Sequence, residues 1–248
     1  MAFRYSPKIV TDGLVLCLDA ANPKSIVSGS TVWNDLGRNS YTGTLTNGPI
    51  YNSSNGGNIV FDGNDDSCSL TTLNNYGSEM ATKSVTIEFG FKSSYIAGLR
   101  QFGVINNGGN TLLAINFNRD ENDNYVARKT SLSIRANGGL YLVGAMNTDI
   151  YTNSFFIITA IRIVNTNTIL FYVNGVPVSV TNGGVGYNGN PISFSNFEFP
   201  FTIGALNSRG VVGSHLNCSI PFFKIYNRQL SSAEILQNYN TIKSRFGL

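Results

Sequence analysis

The residues best placed to do chemistry are acidic, and they are few: 14 Asp and Glu against 17 Lys and Arg in 248 residues. The densest group is Asp62-Gly-Asn-Asp-Asp66. Asp62, Asn64, Asp65 and Asp66 supply three carboxylates and an amide oxygen, a donor set that suits Ca²⁺, which prefers hard oxygen ligands. The spacing and terminal Glu of an EF-hand loop are missing. The competing reading is a tight turn, with Gly63 at positive φ and Asp62 or Asn64 bonding local backbone. Calcium is the only cofactor these residues admit.

Glycosidic bond hydrolysis needs two carboxyl groups across the scissile bond. Glu88 is the only acid in its run, and Glu198 stands alone in Asn196-Phe-Glu-Phe199. Each reads as an outward-facing strand residue rather than a catalyst. His215, the single histidine, lies in Gly213-Ser-His-Leu216, which has no nucleophile-elbow pattern. No catalytic residue is expected, and the chain reads as a non-enzyme. For sugar binding the candidates are Trp33, Tyr41, Tyr187 and Asn188: aromatic faces for stacking and an amide for hydroxyls. Trp33, the only tryptophan, has a large apolar surface and is equally suited to anchor a core.

Many short strands must position these residues. Residues 85–91 alternate, with Val85, Ile87, Phe89 and Phe91 on one side and Thr86, Glu88 and Gly90 on the other. That period predicts a strand on a half-buried sheet. Residues 14–18 are continuously apolar and predict a strand buried on both faces. Further strands are expected at 59–61, 68–70, 102–105, 112–117, 131–135, 140–143, 155–164, 197–204 and 219–226. Asn107-Gly-Gly109 and Asn137-Gly-Gly139 mark turns. Asn174-Gly175 between two β-prone runs signals a type I′ hairpin, and Pro177 places its strand at an edge or at a position free of the ladder. One helix is expected at 231–246. Ser231 and Glu234 form a capping box, and Leu230 and Ile235 form a hydrophobic staple. Ile235, Tyr239, Ile242 and Phe246 give one apolar face, expected to lie on the sandwich or on a neighbouring subunit and to serve assembly. Residues 1–12 read as an arm and 13–248 as one domain.

Charged residues are only 12% of the chain and the net charge is +3. Asn, Gly, Ser and Thr make up roughly 40%, well above ordinary usage. Without a basic cluster, nucleic acid and anionic membrane are not expected partners. No run reaches transmembrane length, and the first residues lack the apolar stretch of a signal peptide. Cys17, Cys68 and Cys218 show no metal or redox spacing and read as reduced structural residues.

The hairpin Ile169-Leu-Phe-Tyr-Val-Asn-Gly-Val176 resembles the LYVNG hairpin of laminin-G-like domains of the concanavalin A superfamily. Val60-Phe-Asp-Gly63 and Ile225-Tyr-Asn-Arg-Gln-Leu-Ser-Ser-Ala-Glu-Ile235 join it in the expected order. The resemblance implies an all-β, concanavalin A-like (laminin-G-like) jelly-roll β-sandwich with a short C-terminal α-helix. It also implies that the Phe-Asp-Gly element is a structural turn. Laminarinase-like relatives carry Glu-x-Asp-x-x-Glu along one strand, and this chain has no such motif. A closer resemblance, to laminin-G-like proteins of tailed phages, rests on 5–20, Asn22-Pro-Lys-Ser25, Trp33-Asn-Asp-Leu36, Gly43-Thr-Leu-Thr-Asn-Gly48 and 227–248. Cys17 departs from it, since that position often holds a larger residue. The resemblance implies a virion component: a capsid decoration, head fibre or tail-associated protein, with weak glycan adhesion. The implied partners are other virion proteins, further copies of the chain and host glycans, and the implied location is the virion, after synthesis in the host cytoplasm. The alternative is a carbohydrate-binding adhesin for host surface glycans.

Overall fold

A computed structural model describes residues 8–70, 73, 76–80, 82–93, 96, 98–105, 112–120, 122, 124–135, 141–183 and 196–248. The chain runs through β1 (Leu14–Asp19), β2 (Val32–Asn34), β3 (Thr42–Thr46), β4 (Ile50–Asn52), β5 (Asn58–Asp62) and β6 (Ser67–Leu70). A one-turn helix α1 (Tyr76–Glu79) precedes β7 (Val85–Phe91), β8 (Arg100–Ile105), β9 (Leu112–Arg119), β10 (Tyr125–Arg135) and β11 (Tyr141–Met146). Then follow β12 (Phe156–Ile163), β13 (Thr168–Val173), β14 (Val176–Val178), β15 (Val180–Gly183), β16 (Phe201–Ile203), β17 (Leu206–Ser208) and β18 (Val211–Gly213). The chain ends with β19 (Asn217–Ile220), β20 (Phe222–Tyr226) and helix α2 (Ser232–Ile242).

Two large sheets face each other. A six-stranded sheet has the order β1-β20-β7-β12-β13-β14. The larger sheet runs β15-β11-β10-β9-β8-β16-β6-β3-β2, with β17 pairing to β8 and β18 to β17. A small sheet, β19-β5-β4, sits beside them. All pairings are antiparallel except β17 with β8. This is the expected all-β jelly-roll sandwich. Its core is aromatic: Phe89 and Phe223 of the smaller sheet meet Phe102 of the larger at 5.3 and 6.1 Å between ring centroids. Phe91 stacks on Phe117 at 4.8 Å.

Local signals set several boundaries. Asn174 and Gly175 take φ of 52° and 77°, the two positive values a type I′ turn needs. A side chain on Gly175 would also press within 3.0 Å of the Tyr239 ring. Pro177 lies in β14, an edge strand, where its missing N–H costs no ladder bond. Ser231 and Glu234 form the reciprocal capping box. The expected 231–246 helix is α2 plus a 3-10 turn at Lys243–Phe246, and Gly247 closes it at φ 69°. The turns expected at 107–109 and 137–139 lie outside the described residues. Helix α1 carries no signal in the sequence pattern. Just past its end the buried Arg162 guanidinium donates to Met80 O and Lys83 O.

The alternation of β7 predicts a half-buried strand, yet all seven of its residues are buried. Helix α2 and residues 8–12 lie across the outer face of the six-stranded sheet and seal it. Val10, Leu230 and Ile235 pack on Ile161, Tyr172 and Tyr226. Ile242 packs with Ile157 and Phe222, flanked by Tyr239 and Phe246.

Candidate functional site

Beneath α2 the sheet carries a polar row. Register places Cys17 opposite Lys224, Lys224 opposite Glu88, and Glu88 opposite Thr159. Lys224 Nζ donates to Glu88 Oε1 at 2.8 Å, with both side chains almost wholly buried. Asn238 of α2 donates to Glu88 Oε2 at 3.2 Å and accepts from the Val10 N–H at 2.8 Å. The Tyr226 hydroxyl accepts from Asn238 and donates to Val10 O. Glu88 is therefore not the outward-facing residue its alternation suggested. Its charge is matched by Lys224 and its second oxygen by a helix side chain, as burial of a carboxylate requires. Glu198 is exposed as expected, but it sits in a bend ahead of β16 and not in a strand.

The acidic loop brings its three carboxylates together. Ligand oxygens of Asp62, Asp65 and Asp66 lie within 4.8 Å of one another. Asp62 Oδ1 accepts from the Asn64 N–H and Oδ2 from the Asn64 amide, both at 2.8 Å. Those bonds hold the Asp62 carboxyl below the usual range. Asp66 is buried, which raises its pKa, and its Oδ2 accepts from the Asp62 N–H at 2.9 Å. Gly63 takes φ 82° and lies hard against Asn217, where a Cβ would meet the backbone at 2.9 Å. His215 Nδ1 is 3.0 Å from Asp66 O. The loop thus has the donors for a hard cation and, at the same time, a full set of turn hydrogen bonds. Nothing in the arrangement gives His215 a nucleophile to activate.

The sugar-binding candidates separate. Trp33 is wholly buried in the main core and cannot stack on a ligand; its Nε1 finds no partner among the described residues. Tyr41 is half-buried against the same core. Tyr187 and Asn188 lie outside the described residues. Of the apolar helix face expected to serve assembly, Ile235 and Ile242 are buried against the chain's own sheet, and Tyr239 and Phe246 are half-buried beside them. The helix spends that face within the chain. All three cysteines are free and buried. Burial raises the thiols of Cys17 and Cys68 to about 11 and about 12, and pushes Cys218 up as well, which leaves them inert near neutral pH.

The outer face of the larger sheet carries amides and hydroxyls. Gln101 donates to Asn116 at 2.5 Å, and Asn116 donates to the hydroxyls of Ser131 and Ser133. Among the described residues, none of this sheet's eleven strands contains an Asp or Glu. At its rim stands a residue the sequence reading passed over. β10 begins at Tyr125 rather than at 131, and Tyr125 is the one aromatic among the described residues that is largely exposed. The signal available was the Asp120–Asn124 stretch, dense in turn formers.

The model of the Laminin_G_3 family, the concanavalin A-like lectin/glucanases superfamily, matches residues 62–236. No curated protein matches the chain. Among solved structures, the receptor-binding domain of botulinum neurotoxin C/D mosaic serotype is similar, with a TM-score of 0.67 and 13% identity over 93% of this chain and 51% of that one. Botulinum neurotoxin type C, whose cell entry is dependent upon interaction with two ganglioside molecules, gives 0.67 and 14% over 94% and 52%. Trypanosoma rangeli sialidase in complex with the inhibitor DANA gives 0.59 and 15% over 93% and 33%. The chain spans about half or less of each, and at these identities the likeness shows the fold. With the family model matching most of its length, the chain belongs to the Laminin_G_3 family of the concanavalin A-like lectin/glucanases superfamily.

Proposed function

We propose that this chain is a non-catalytic, glycan-binding module of the virion of a tailed phage. The observation that carries the non-catalytic reading is the distribution of carboxyl groups. Among the described residues the larger sheet offers none in any strand, and the one strand glutamate, Glu88, is sealed against Lys224 under α2. In most families glycoside hydrolysis uses two opposed carboxyl groups, and among the described residues neither large sheet presents such a pair. Glycan binding is supported by the neighbouring folds, one of which belongs to a toxin that interacts with gangliosides. A weakly charged, amide-rich chain also suits neutral, hydroxylated ligands.

The virion role is supported by the stretches that resemble phage proteins, because they fold together. The Cys17 N–H donates to Asp35 Oδ1 at 2.7 Å, and the Leu36 N–H donates to Cys17 O. Arg245 reaches Asp19 at 2.9 Å, and Gln237 reaches Lys8 O at 2.7 Å. These contacts tie the two ends of the chain to each other and to the 33–36 segment, and this reading assigns particle attachment to that region, as a capsid decoration, head fibre or tail-associated protein. Electron microscopy of purified phage particles labelled with antibody to this chain tests the role. Regular label on heads or tails is expected; unlabelled particles refute it and leave a free or cell-surface lectin.

A further inference from the structure

Resting on the glycan-binding reading above, we propose that residues 125–129 at the start of β10 and the 147–151 segment form the sugar-contacting rim for a neutral glycan. Tyr125 is the stacking face, and the Arg128–Asp149 pair is the hydroxyl-binding fork.

Tyr125 opens β10 directly across from Arg119 of β9 and is 59% exposed. Between Tyr125 and Thr130 the register with β9 breaks. Arg128 sits there at φ 66°, and Asn118 in the facing strand at φ 61°, a conformation L-residues other than glycine adopt at a cost. The side chain of one strained residue fixes the other. Asn118 Oδ1 accepts from the Arg128 N–H at 2.8 Å, while its amide donates to Ile96 O and Gly98 O, both at 2.8 Å. The break interrupts the two-residue alternation of the strand, as a bulge does. Positions 125, 127 and 128 are all exposed.

The polar groups at this rim are oriented before any ligand arrives. Arg128 Nε donates to Asp149 Oδ2 at 2.6 Å, and its terminal nitrogen contacts the same oxygen. Asp149 Oδ1 accepts from the Tyr151 N–H at 2.9 Å. Partial burial works against it, but the Tyr151 N–H and Arg128 hold the Asp149 carboxyl below its ordinary range. Lys129 Nζ is bonded to Asn147 Oδ1. Asp120 Oδ1 accepts from the N–H groups of Asn122 and Asn124.

Stability does not explain this arrangement. The Arg128–Asp149 pair is roughly half exposed, and such pairs add little to folding, while the backbone beneath is strained and an aromatic face is left in water. Recognition does explain it. A guanidinium has five N–H donors and an ionised carboxylate about four acceptor sites. Paired, they still present unused donors beside unused acceptors, the complement of two adjacent hydroxyls. The exposed ring serves the C–H face of the same sugar. Because Asp149 cancels the charge of Arg128, the fork has no net charge to select an acidic sugar, so the ligand class is neutral. Groups already locked in place bind with a smaller ordering cost.

The test uses the full chain on an array of neutral and acidic glycans, with affinities for the hits measured by calorimetry. Three variants are compared with the wild type: Tyr125→Ala, Arg128→Gly and Val211→Ser. Glycine accepts the φ of position 128 without strain, so Arg128→Gly removes the guanidinium and keeps the fold. The expected result is binding of neutral glycans by the wild type, weakened about tenfold or more in Tyr125→Ala and Arg128→Gly at unchanged Tm and unaltered in Val211→Ser. Full affinity in both rim variants overturns this site while the glycan-binding reading stands. Hits confined to acidic glycans overturn the neutral class. A wild type that binds no glycan overturns the reading and the site together.

Discussion

Lys224 Nζ and Glu88 Oε1 lie 2.8 Å apart on adjacent strands, 136 residues apart in sequence, beneath a helix that seals both from water. The pair links the helix, the N-terminal segment and the sheet, because Asn238 bonds both Glu88 and Val10.

Removing one partner leaves an uncompensated buried charge. Lys224→Met is expected to cost about 3–5 kcal/mol and to loosen α2. Glu88→Leu combined with Lys224→Met should recover most of that loss, since an apolar pair of similar volume needs no desolvation. Urea denaturation of the two singles and the double gives the coupling; a double as unstable as the sum of the singles refutes it.

The helix start has a pH signature. Bonding to Arg228, reinforced by Ser231, lowers Glu234 from 4.5 to about 2. A depressed carboxylate pKa contributes stability that is complete above about 4.5 and is lost as pH falls toward 2. Tm measured from pH 6 to pH 2 should therefore fall more steeply in the wild type than in Glu234→Gln. Parallel curves would show that the pair makes no contribution. Ser231→Ala should cost about 1 kcal/mol at neutral pH by removing the cap.

Trp33 is a core residue. Trp33→Ala is expected to destabilise the fold by about 3–5 kcal/mol, far more than any ligand-specific effect. The single indole also reports on packing: its fluorescence should be blue-shifted in the native state and move to the red on unfolding. A red-shifted native spectrum, or a stable Trp33→Ala variant with selective loss of glycan binding, contradicts the assignment.

The Asp62–Asp66 loop carries its own hydrogen bonds, so it should hold its shape without an ion. Adding EDTA is expected to leave Tm unchanged. A Tm that rises with Ca²⁺ in the wild type but not in Asp65→Asn would instead assign a calcium site, with a gain of about 2.7 kcal/mol at a hundredfold excess over Kd.

What the sequence disclosed was mostly local. Asn174-Gly175 dictates its turn by φ alone, and Ser231 with Glu234 dictates the helix start through bonds three residues apart. Non-local pairing was hidden. Thr86, Glu88 and Gly90 look like a solvated face because nothing nearby in sequence announces Lys224 or Asn238. The break at Arg128 was hidden for another reason: arginine has no preference for positive φ, and its backbone N–H is held by the Asn118 side chain from the facing strand. Tyr125 was passed over with it, since its strand extends beyond the alternating part.

The central claim is binding without hydrolysis. Its most direct test incubates the protein with host surface polysaccharides, measuring retention on the polysaccharide and release of reducing ends from the same sample. Saturable retention is expected, with no reducing ends above the buffer control. Reducing ends that accumulate in proportion to protein concentration, or no retention on any polysaccharide, would contradict binding without hydrolysis.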